Sequence, residues 1–253
     1  MFKNVIVRKP CKAMINGITS GDLGKPDFNL AVSQHDFYVE TLKKCDVEVT
    51  MLNSDECYPD SCFVEDVALC TKYCAIITSP GAPSRKGEEA EMEEVLGRFY
   101  AHLESIQYPG TVEAGDIMMV DDHFYIGLSK RTNEEGARQI IAILEKYGLS
   151  GSTVPLKKLL HLKTGLSYLE NNNLLITGEF VDNPAFESFN KIIVPEEEAY
   201  AANCIWVNGH VLVPMGYPST LHAIKKLGYL VHEVDTSEFR KLDGGLSCLS
   251  LRF

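Results

Sequence analysis

Three carboxylates, Asp60, Glu65 and Asp66, lie close together just before the apolar run Val67–Cys70. That run has the composition of a buried strand. An unpaired buried carboxylate costs several kcal/mol, so acids at the mouth of such a strand need a cationic partner. Paired carboxylates match a planar guanidinium group best. From these residues alone, a pocket for a cationic group and a solvated acidic turn both remain open.

A cysteine and a histidine have the side chains that nucleophilic catalysis requires. Cys248 follows Gly244 and Gly245, whose lack of side chains permits a ligand to approach the backbone closely. His161 is a lone histidine in an apolar run. With a carboxylate such as Glu113, they could act as nucleophile, general acid/base and orienting group. Taken singly, Cys248 also fits a buried structural thiol, and His161 a core histidine.

Two arginines are candidate ligands for an anionic group. Arg85 ends the turn-rich loop Ser79–Arg85, and Arg131 occupies the same place one repeat later. A solvated arginine is the default interpretation of each. Their equivalent positions in adjacent repeats also fit a paired clamp on a carboxylate.

Composition limits the class of protein and partner. With 253 residues, 45% of them hydrophobic and 23% charged, the chain fits a soluble globular protein with a sizeable core. A formal charge of −11 without a basic run argues against nucleic acid and anionic membrane, and suits a small cationic ligand. No apolar run reaches the ~20 residues of a membrane span. Because Met1–Val7 enters a strand pattern at once, we expect no secretory signal and a cytoplasmic location.

The eight cysteines are scattered thinly, which favours free thiols in a reducing cytoplasm over disulfides. The spacing of Cys57 and Cys62 with Cys70 and Cys74 matches no common zinc module. We therefore expect neither a metal ion nor a cofactor.

A hairpin pattern of two apolar runs joined by turn residues recurs along the chain, and Asn208-Gly209 is its strongest turn signal. The four copies are Cys62–Pro80, Gly115–Ser129, Gly165–Gly178 and Asn203–Met215. Helical patterns lie before, between and after them, at Phe28–Lys44, Gly87–Leu103, Gly136–Tyr147 and Leu221–Leu227. The period of roughly 40 to 50 residues is typical of repeated structural units.

A final half-pattern at Gly244–Leu251 lacks a second strand, which the N-terminal run Asn4–Val7 could supply. The sequence thus predicts an α/β fold of five ββαβ modules around a pseudo-fivefold axis, a five-bladed α/β propeller forming one domain over residues 1–253. An open solenoid is the alternative, but closure removes unpaired strand edges. In a closed ring the first strands all face one axis, so the candidate residues beside them should converge.

These motifs also resemble a known family. The chain is similar to the bacterial dimethylarginine dimethylaminohydrolases of the guanidino-modifying, pentein-fold superfamily over essentially its whole length. The matching runs include Phe63–Asp66, Thr111–Asp116, Arg131–Asn133, His161–Gly165, Ala201–Ile205 and Asp243–Cys248.

The resemblance implies a role for each candidate residue. Cys248 would be the nucleophile and His161 the general acid/base, with Glu113 orienting the histidine. Asp60 and Asp66 would engage the substrate guanidinium. The remaining implied residues are Glu65 lining the pocket, Arg85 and Arg131 on the substrate α-carboxylate, the backbone carbonyls of Ile18 and Leu242 on the α-amine, and Gly17–Lys25 as a mobile lid.

The same resemblance implies hydrolysis of methylated arginines to citrulline through a covalent cysteine thiouronium, without a cofactor, in an enzyme that forms homodimers. Arginine deiminase is the nearest alternative, but those enzymes are longer and carry a helical insertion absent from this chain. Hydrolysis of another guanidine also remains open. A non-catalytic ribosome anti-association factor shares the fold, but it needs a surface matched to RNA, which the charge of −11 disfavours.

Overall fold

The computed structural model describes residues 1–253, and its strands are short apolar runs that end at turn residues. In chain order they are β1 Asn4–Arg8, β2 Glu48–Leu52, β3 Ala68–Cys70, β4 Ala75–Ile77, β5 Leu103–Ser105, β6 Ile117–Val120, β7 His123–Leu128, β8 Ser150–Pro155, β9 Leu166–Tyr168, β10 Asn173–Ile176, β11 Asn190–Ile193, β12 Ile205–Val207, β13 His210–Pro214, β14 Leu230–Val234 and β15 Leu251–Arg252. The helices are α1 Phe28–Lys43, α2 Ala90–Leu96, α3 Glu134–Lys146, α4 Pro218–Lys226 and α5 Ser237–Arg240. None of them has the length and apolar composition needed to cross a membrane.

The strands form five three-stranded sheets of one design. In each sheet, two strands pair antiparallel, and the third pairs parallel with the central one. A parallel partner requires a crossover connection, and a helix supplies it in four of the five sheets. The predicted hairpins and the ββαβ modules are therefore confirmed.

The structure differs from the predicted helices in two places. α2 stops at Leu96 because Gly97 caps its end, and Leu103–Ser105 instead pairs in parallel with β4. The fourth module, which no predicted helix covered, connects β10 to β11 through two single-turn 3-10 helices. Phe180 and Phe186 from these turns are fully buried, so they cover the sheet as a longer helix would.

The two chain ends close the ring. β15 pairs antiparallel with β1, placing Val5 opposite Arg252, and β2 pairs with the other edge of β1. The backbone N–H groups of Lys3 and Asn4 both donate to the Phe253 carbonyl, at 2.8 and 2.7 Å. The first strands of neighbouring sheets also contact one another, as β6 and β12 each do with β9. Closure of the ring is confirmed.

A 3-10 segment precedes the first strand of all five modules, and the four short ones among them contact one another. They are Val64–Val67, Ala114–Asp116, Leu162–Thr164 and Ser247–Leu249. Each turn carries or adjoins a predicted site residue. The repeat therefore brings together residues that are far apart in the chain.

The turn that carries Cys248 is fixed by a buried tyrosine of α1. The Tyr38 hydroxyl donates to the Leu246 carbonyl at 3.0 Å and lies 2.7 Å from the Ser250 hydroxyl. Its side chain is fully buried. The hydroxyl therefore satisfies polar groups on both sides of the turn.

Replacing Tyr38 with phenylalanine should lower the free energy of unfolding by about 1–2 kcal/mol, because a buried carbonyl and hydroxyl lose their partner. Urea denaturation measures the change. Tyr108→Phe is the matched control, since Tyr108 is 94% exposed. Equal stability of both variants and the wild type would contradict this role of Tyr38.

Candidate active site

One cavity collects most of the predicted site residues. It is lined by side chains or backbone of Ile18, Asp60, Phe63, Asp66, Arg85, Glu113, Arg131, Leu160, His161, Leu242, Asp243, Gly244 and Cys248. The predicted convergence thus occurs in the structure.

The Cys248 thiol is half-buried at this cavity. The backbone N–H of Gly245 donates to its sulfur at 3.4 Å. Burial, followed by the charges of Glu65 and Asp66, raises the pKa of Cys248 to about 12. In the free protein the thiol is therefore neutral at physiological pH.

His161 lies between two buried carboxylates. Its Nε2 is 3.4 Å from Glu113 Oε2, and its Nδ1 is 3.3 Å from Asp116 Oδ2, although the latter contact is not aligned as a hydrogen bond. Burial acts to lower the pKa of His161. The charges of Asp116, Asp66 and Glu113 outweigh it and raise the pKa to about 9. The ring is therefore an imidazolium at neutral pH and can donate a proton.

Arg85 is buried rather than solvated, with 4% of its surface exposed. It donates to Asp66, to both oxygens of Glu88 at 2.8 and 2.7 Å, and to the Phe63 carbonyl at 3.0 Å. Burial acts to raise the pKa of Asp66, but Arg85 and His161 outweigh it and lower that pKa. Asp66 is therefore an anion held at the cavity by an internal guanidinium.

Arg131 forms the second ion pair of the cavity. Its Nη1 lies 3.1 Å from both carboxylate oxygens of Glu113. The Arg131 side chain is 17% exposed, whereas that of Glu113 is fully buried. Glu113 also accepts the backbone N–H of Ala82 at 3.0 Å. Glu113 is thus shared by His161 and Arg131.

Asp60 connects the cavity to the loop 17–25. Its Oδ1 accepts the backbone N–H of Ile18 at 3.0 Å, and burial raises its pKa. Further along the loop, the Ser20 N–H donates to Asp243. Residues 19–25 are exposed. The loop therefore lies beside the cavity and is tied at two points.

Gly115 is required by the close packing of this site. Its N–H donates to Asp66 Oδ1 at 3.1 Å. A Cβ atom at this position would lie 2.8 Å from that oxygen and 3.1 Å from the ring of His161. A glycine between Glu113 and Asp116 therefore permits three buried acids to surround one histidine.

Comparison with known proteins identifies the family. The family model for N,N dimethylarginine dimethylhydrolase, eukaryotic, matches residues 24–184. The chain is 63% identical to the N(G),N(G)-dimethylarginine dimethylaminohydrolase of Pseudomonas aeruginosa, over 100% of both chains. The chain belongs to the dimethylarginine dimethylaminohydrolase family. The N(G),N(G)-dimethylarginine dimethylaminohydrolase of Streptomyces coelicolor is 34% identical to this chain, over 99% of this chain and 96% of that protein.

Solved structures of the family have the same fold. A cysteine-to-serine variant of the Pseudomonas aeruginosa enzyme, complexed with citrulline, matches with a TM-score of 0.99 at 62% identity over 100% of both chains. The N-terminal domain of the cyanobacterial arginine dihydrolase ArgZ matches with a TM-score of 0.90 at 19% identity, covering 100% of this chain and 97% of that one. At that identity the likeness concerns the fold alone. Both the resemblance and the pentein fold inferred from the sequence are confirmed.

Glu65 does not line the cavity that contains Cys248, although the resemblance predicted that it lines the pocket. Its carboxylate contacts Lys163 Nζ at 2.6 Å, Arg252 Nη2 at 3.1 Å and the Ser247 hydroxyl at 2.7 Å. These partners line a neighbouring cavity. Asp66 is the next residue in the Val64–Val67 turn, and unlike Glu65 it lines the cavity of Cys248.

Two further details differ from the sequence-based account. Asp116 was assigned no role from the sequence, yet it lies 3.3 Å from His161 Nδ1. The Glu-x-x-Asp spacing across the Ala114–Asp116 turn was the available signal, because one 3-10 turn places residues three apart on the same side. At Gly244 and Gly245 the space that a Cβ atom would need is taken by the side chains of Phe63 and Asn203, which adds a packing reason for both glycines.

Replacing Asp116 with asparagine should lower the pKa of His161 from about 9 toward its ordinary value of 6.5, because the largest favourable charge is removed. NMR titration of the imidazole measures this shift. Asp122→Asn is the control, since Asp122 pairs with exposed Lys72. An unchanged His161 pKa in the Asp116 variant would contradict the assignment.

The same pKa predicts how stability depends on pH. Because folding raises the pKa of His161, its stabilising contribution is fully present below pH 6.5 and is lost as the pH rises through about 9. The Asp116→Asn variant should lack most of this loss.

Proposed function

We propose that this protein hydrolyses N-omega-methylated arginines to citrulline and dimethylamine or methylamine. The observation that carries the proposal is the convergence of a thiol, an imidazolium and buried carboxylates in one cavity. Acid side chains select a cation, the thiol provides a nucleophile, and the imidazolium provides a proton for the departing amine. Membership of the family supports the same reaction.

Substrate recognition follows from the charges that line the cavity. Asp66 and Asp60 bind the guanidinium nitrogens, since paired carboxylates match its planar donors. Arg131 and Arg85 bind the α-carboxylate. Arg131 is the more accessible of the two, and Arg85 uses four of its five N–H groups internally, leaving one for a ligand. The carbonyls of Ile18 and Leu242, which line the cavity, accept from the α-amine.

Binding of the substrate cation favours ionisation of the nucleophile. A positive charge about 4 Å from the sulfur stabilises a thiolate by about 4 kcal/mol near a protein surface, which corresponds to roughly a thousandfold change in ionisation. The Cys248 proton then leaves to solvent, because His161 already carries its own proton. Cys248 thus becomes reactive only when the site is filled.

The chemical steps conserve protons. The Cys248 thiolate adds to the guanidinium carbon, and His161 donates its proton to the alkylamine as the carbon–nitrogen bond breaks. The product is a covalent thiouronium. Neutral His161, oriented by Glu113, then accepts a proton from water, whose oxygen attacks the same carbon. The carbon–sulfur bond then breaks, the second water proton passes to the departing Cys248 sulfur, and citrulline is released.

Four broader expectations belong to this proposal. The five modules form one closed ring, which supports a single catalytic domain over residues 1–253. Residues 17–25 act as a mobile lid, supported by their exposure beside the cavity. Homodimer formation rests on the family resemblance, and a cytoplasmic location fits the eight free thiols.

The test is citrulline release from asymmetric dimethylarginine, monomethylarginine and arginine, with Cys248→Ser beside the wild type. The wild type should turn over the methylated substrates, and the variant should lose all measurable turnover, because a hydroxyl is a far weaker nucleophile than a thiolate. Cys57→Ser is the matched control, since Cys57 is exposed and outside the cavity, and it should retain full activity.

Preference for arginine would instead favour the deiminase-like alternative, with the same chemistry but another substrate. Turnover that survives in Cys248→Ser would refute the nucleophile assignment. No release from any of the three substrates would refute the proposed function.

A further inference from the structure

A second group of chemically reactive side chains lies outside the active-site cavity. Cys45, His210 and His232 come from three separate segments, and their donor atoms all lie within 4.8 Å of one another. None of the three lines the cavity that holds Cys248. The spacing of cysteines along the chain could not reveal this group, because its members are 22 to 187 residues apart.

The fold positions all three side chains. Cys45 follows the end of α1, and its backbone carbonyl accepts from the side-chain amide of Asn208 at 3.0 Å. Leu212 lies opposite His232 in the parallel pair β13–β14. His210 is two residues before Leu212, so both histidines point from the same face of the sheet.

The donor atoms lie close enough together to share one metal ion. The ring nitrogens His210 Nδ1 and His232 Nε2 form a hydrogen bond of 2.8 Å, and the two rings are stacked with centroids 5.0 Å apart. Cys45 is fully buried, but both histidines are partly exposed, so an ion can enter from solvent.

We propose that Cys45, His210 and His232 bind a zinc ion, with water as the fourth ligand. One thiolate and two imidazoles are a donor set typical of Zn²⁺. Bonds of about 2.3 Å to sulfur and 2.0–2.1 Å to nitrogen place tetrahedral donors about 3.3–3.6 Å apart. Small side-chain rotations suffice, since the histidine nitrogens must separate slightly and the sulfur must approach them.

Binding replaces one proton by the metal. The Cys45 thiol donates to the Thr41 carbonyl at 3.3 Å in the free protein, and zinc displaces that proton to solvent as the sulfur–metal bond forms. Both imidazoles bind through nitrogen lone pairs and lose no proton. Affinity should therefore rise with pH.

The proposed ion would join the two modules that meet where the ring closes. Cys45 lies between α1 and β2, in the module completed by β15, whereas both histidines belong to the β12–β13–β14 sheet. A metal that binds only the folded chain stabilises it in proportion to its occupancy. Zinc would therefore raise the midpoint of thermal unfolding.

The test uses the full-length chain carrying Cys248→Ser, so that the active-site thiol does not bind metal. This parent should take up one zinc ion per chain during dialysis against micromolar zinc, and its unfolding midpoint should rise. Adding His232→Asn or Cys45→Ser should weaken binding by more than about tenfold. With Co²⁺ in place of zinc, the parent should show a thiolate-to-cobalt absorption band that Cys45→Ser lacks.

The matched control is His123→Asn. His123 begins β7 as His210 begins β13, but it contacts Ser150 and Ser152 instead of a cysteine, so its loss should not alter zinc binding. If Cys45→Ser does not fold, the His232→Asn variant alone tests the proposal. His232 is partly exposed, so we expect its replacement to leave the fold intact. Absence of uptake by the parent, or equal affinity in parent and His232→Asn, would overturn the proposal.

Discussion

The architecture of this site depends on keeping several carboxylates buried at the centre of a ring. Desolvated anions are stable only beside cations or strong donors. Asp60, Asp66, Glu88, Glu113 and Asp116 are buried together, and the cations among them are Arg85, Arg131 and His161. Anionic charge is therefore in excess. One more cation, such as a substrate guanidinium, offsets part of this excess.

This excess of negative charge decides the protonation states. It raises the pKa of His161 to about 9, and together with burial, the larger cause, it raises the pKa of Cys248 to about 12. His161 can therefore donate a proton while Cys248 is still a neutral thiol. A guanidinium that enters beside Asp66 brings a positive charge near the Cys248 sulfur and so counteracts the negative charges that raise its pKa. The charge that selects the substrate therefore also keeps Cys248 inert toward other electrophiles until the substrate binds.

Much of the fold was predictable, because each module repeats a hairpin with clear turn residues and the terminal half-patterns complete each other. The site was predictable as a convergence because its residues adjoin the first strand of each module. The sequence does not determine side-chain direction within a turn, so it could not show that Asp66 lines the cavity of Cys248 while Glu65 pairs with Lys163. Contacts between distant segments, such as Cys45 with His210, have no local signal at all.

The most direct test of this account is the pH dependence of Cys248 alkylation by iodoacetamide in the free protein, followed by mass spectrometry. Cys248→Ser defines the background from exposed Cys57. A neutral thiol with a pKa of about 12 predicts a rate that keeps rising with pH beyond pH 9, without a plateau. A plateau at or below about pH 8.5, the ordinary range of a free thiol, would show a preformed thiolate and contradict the account.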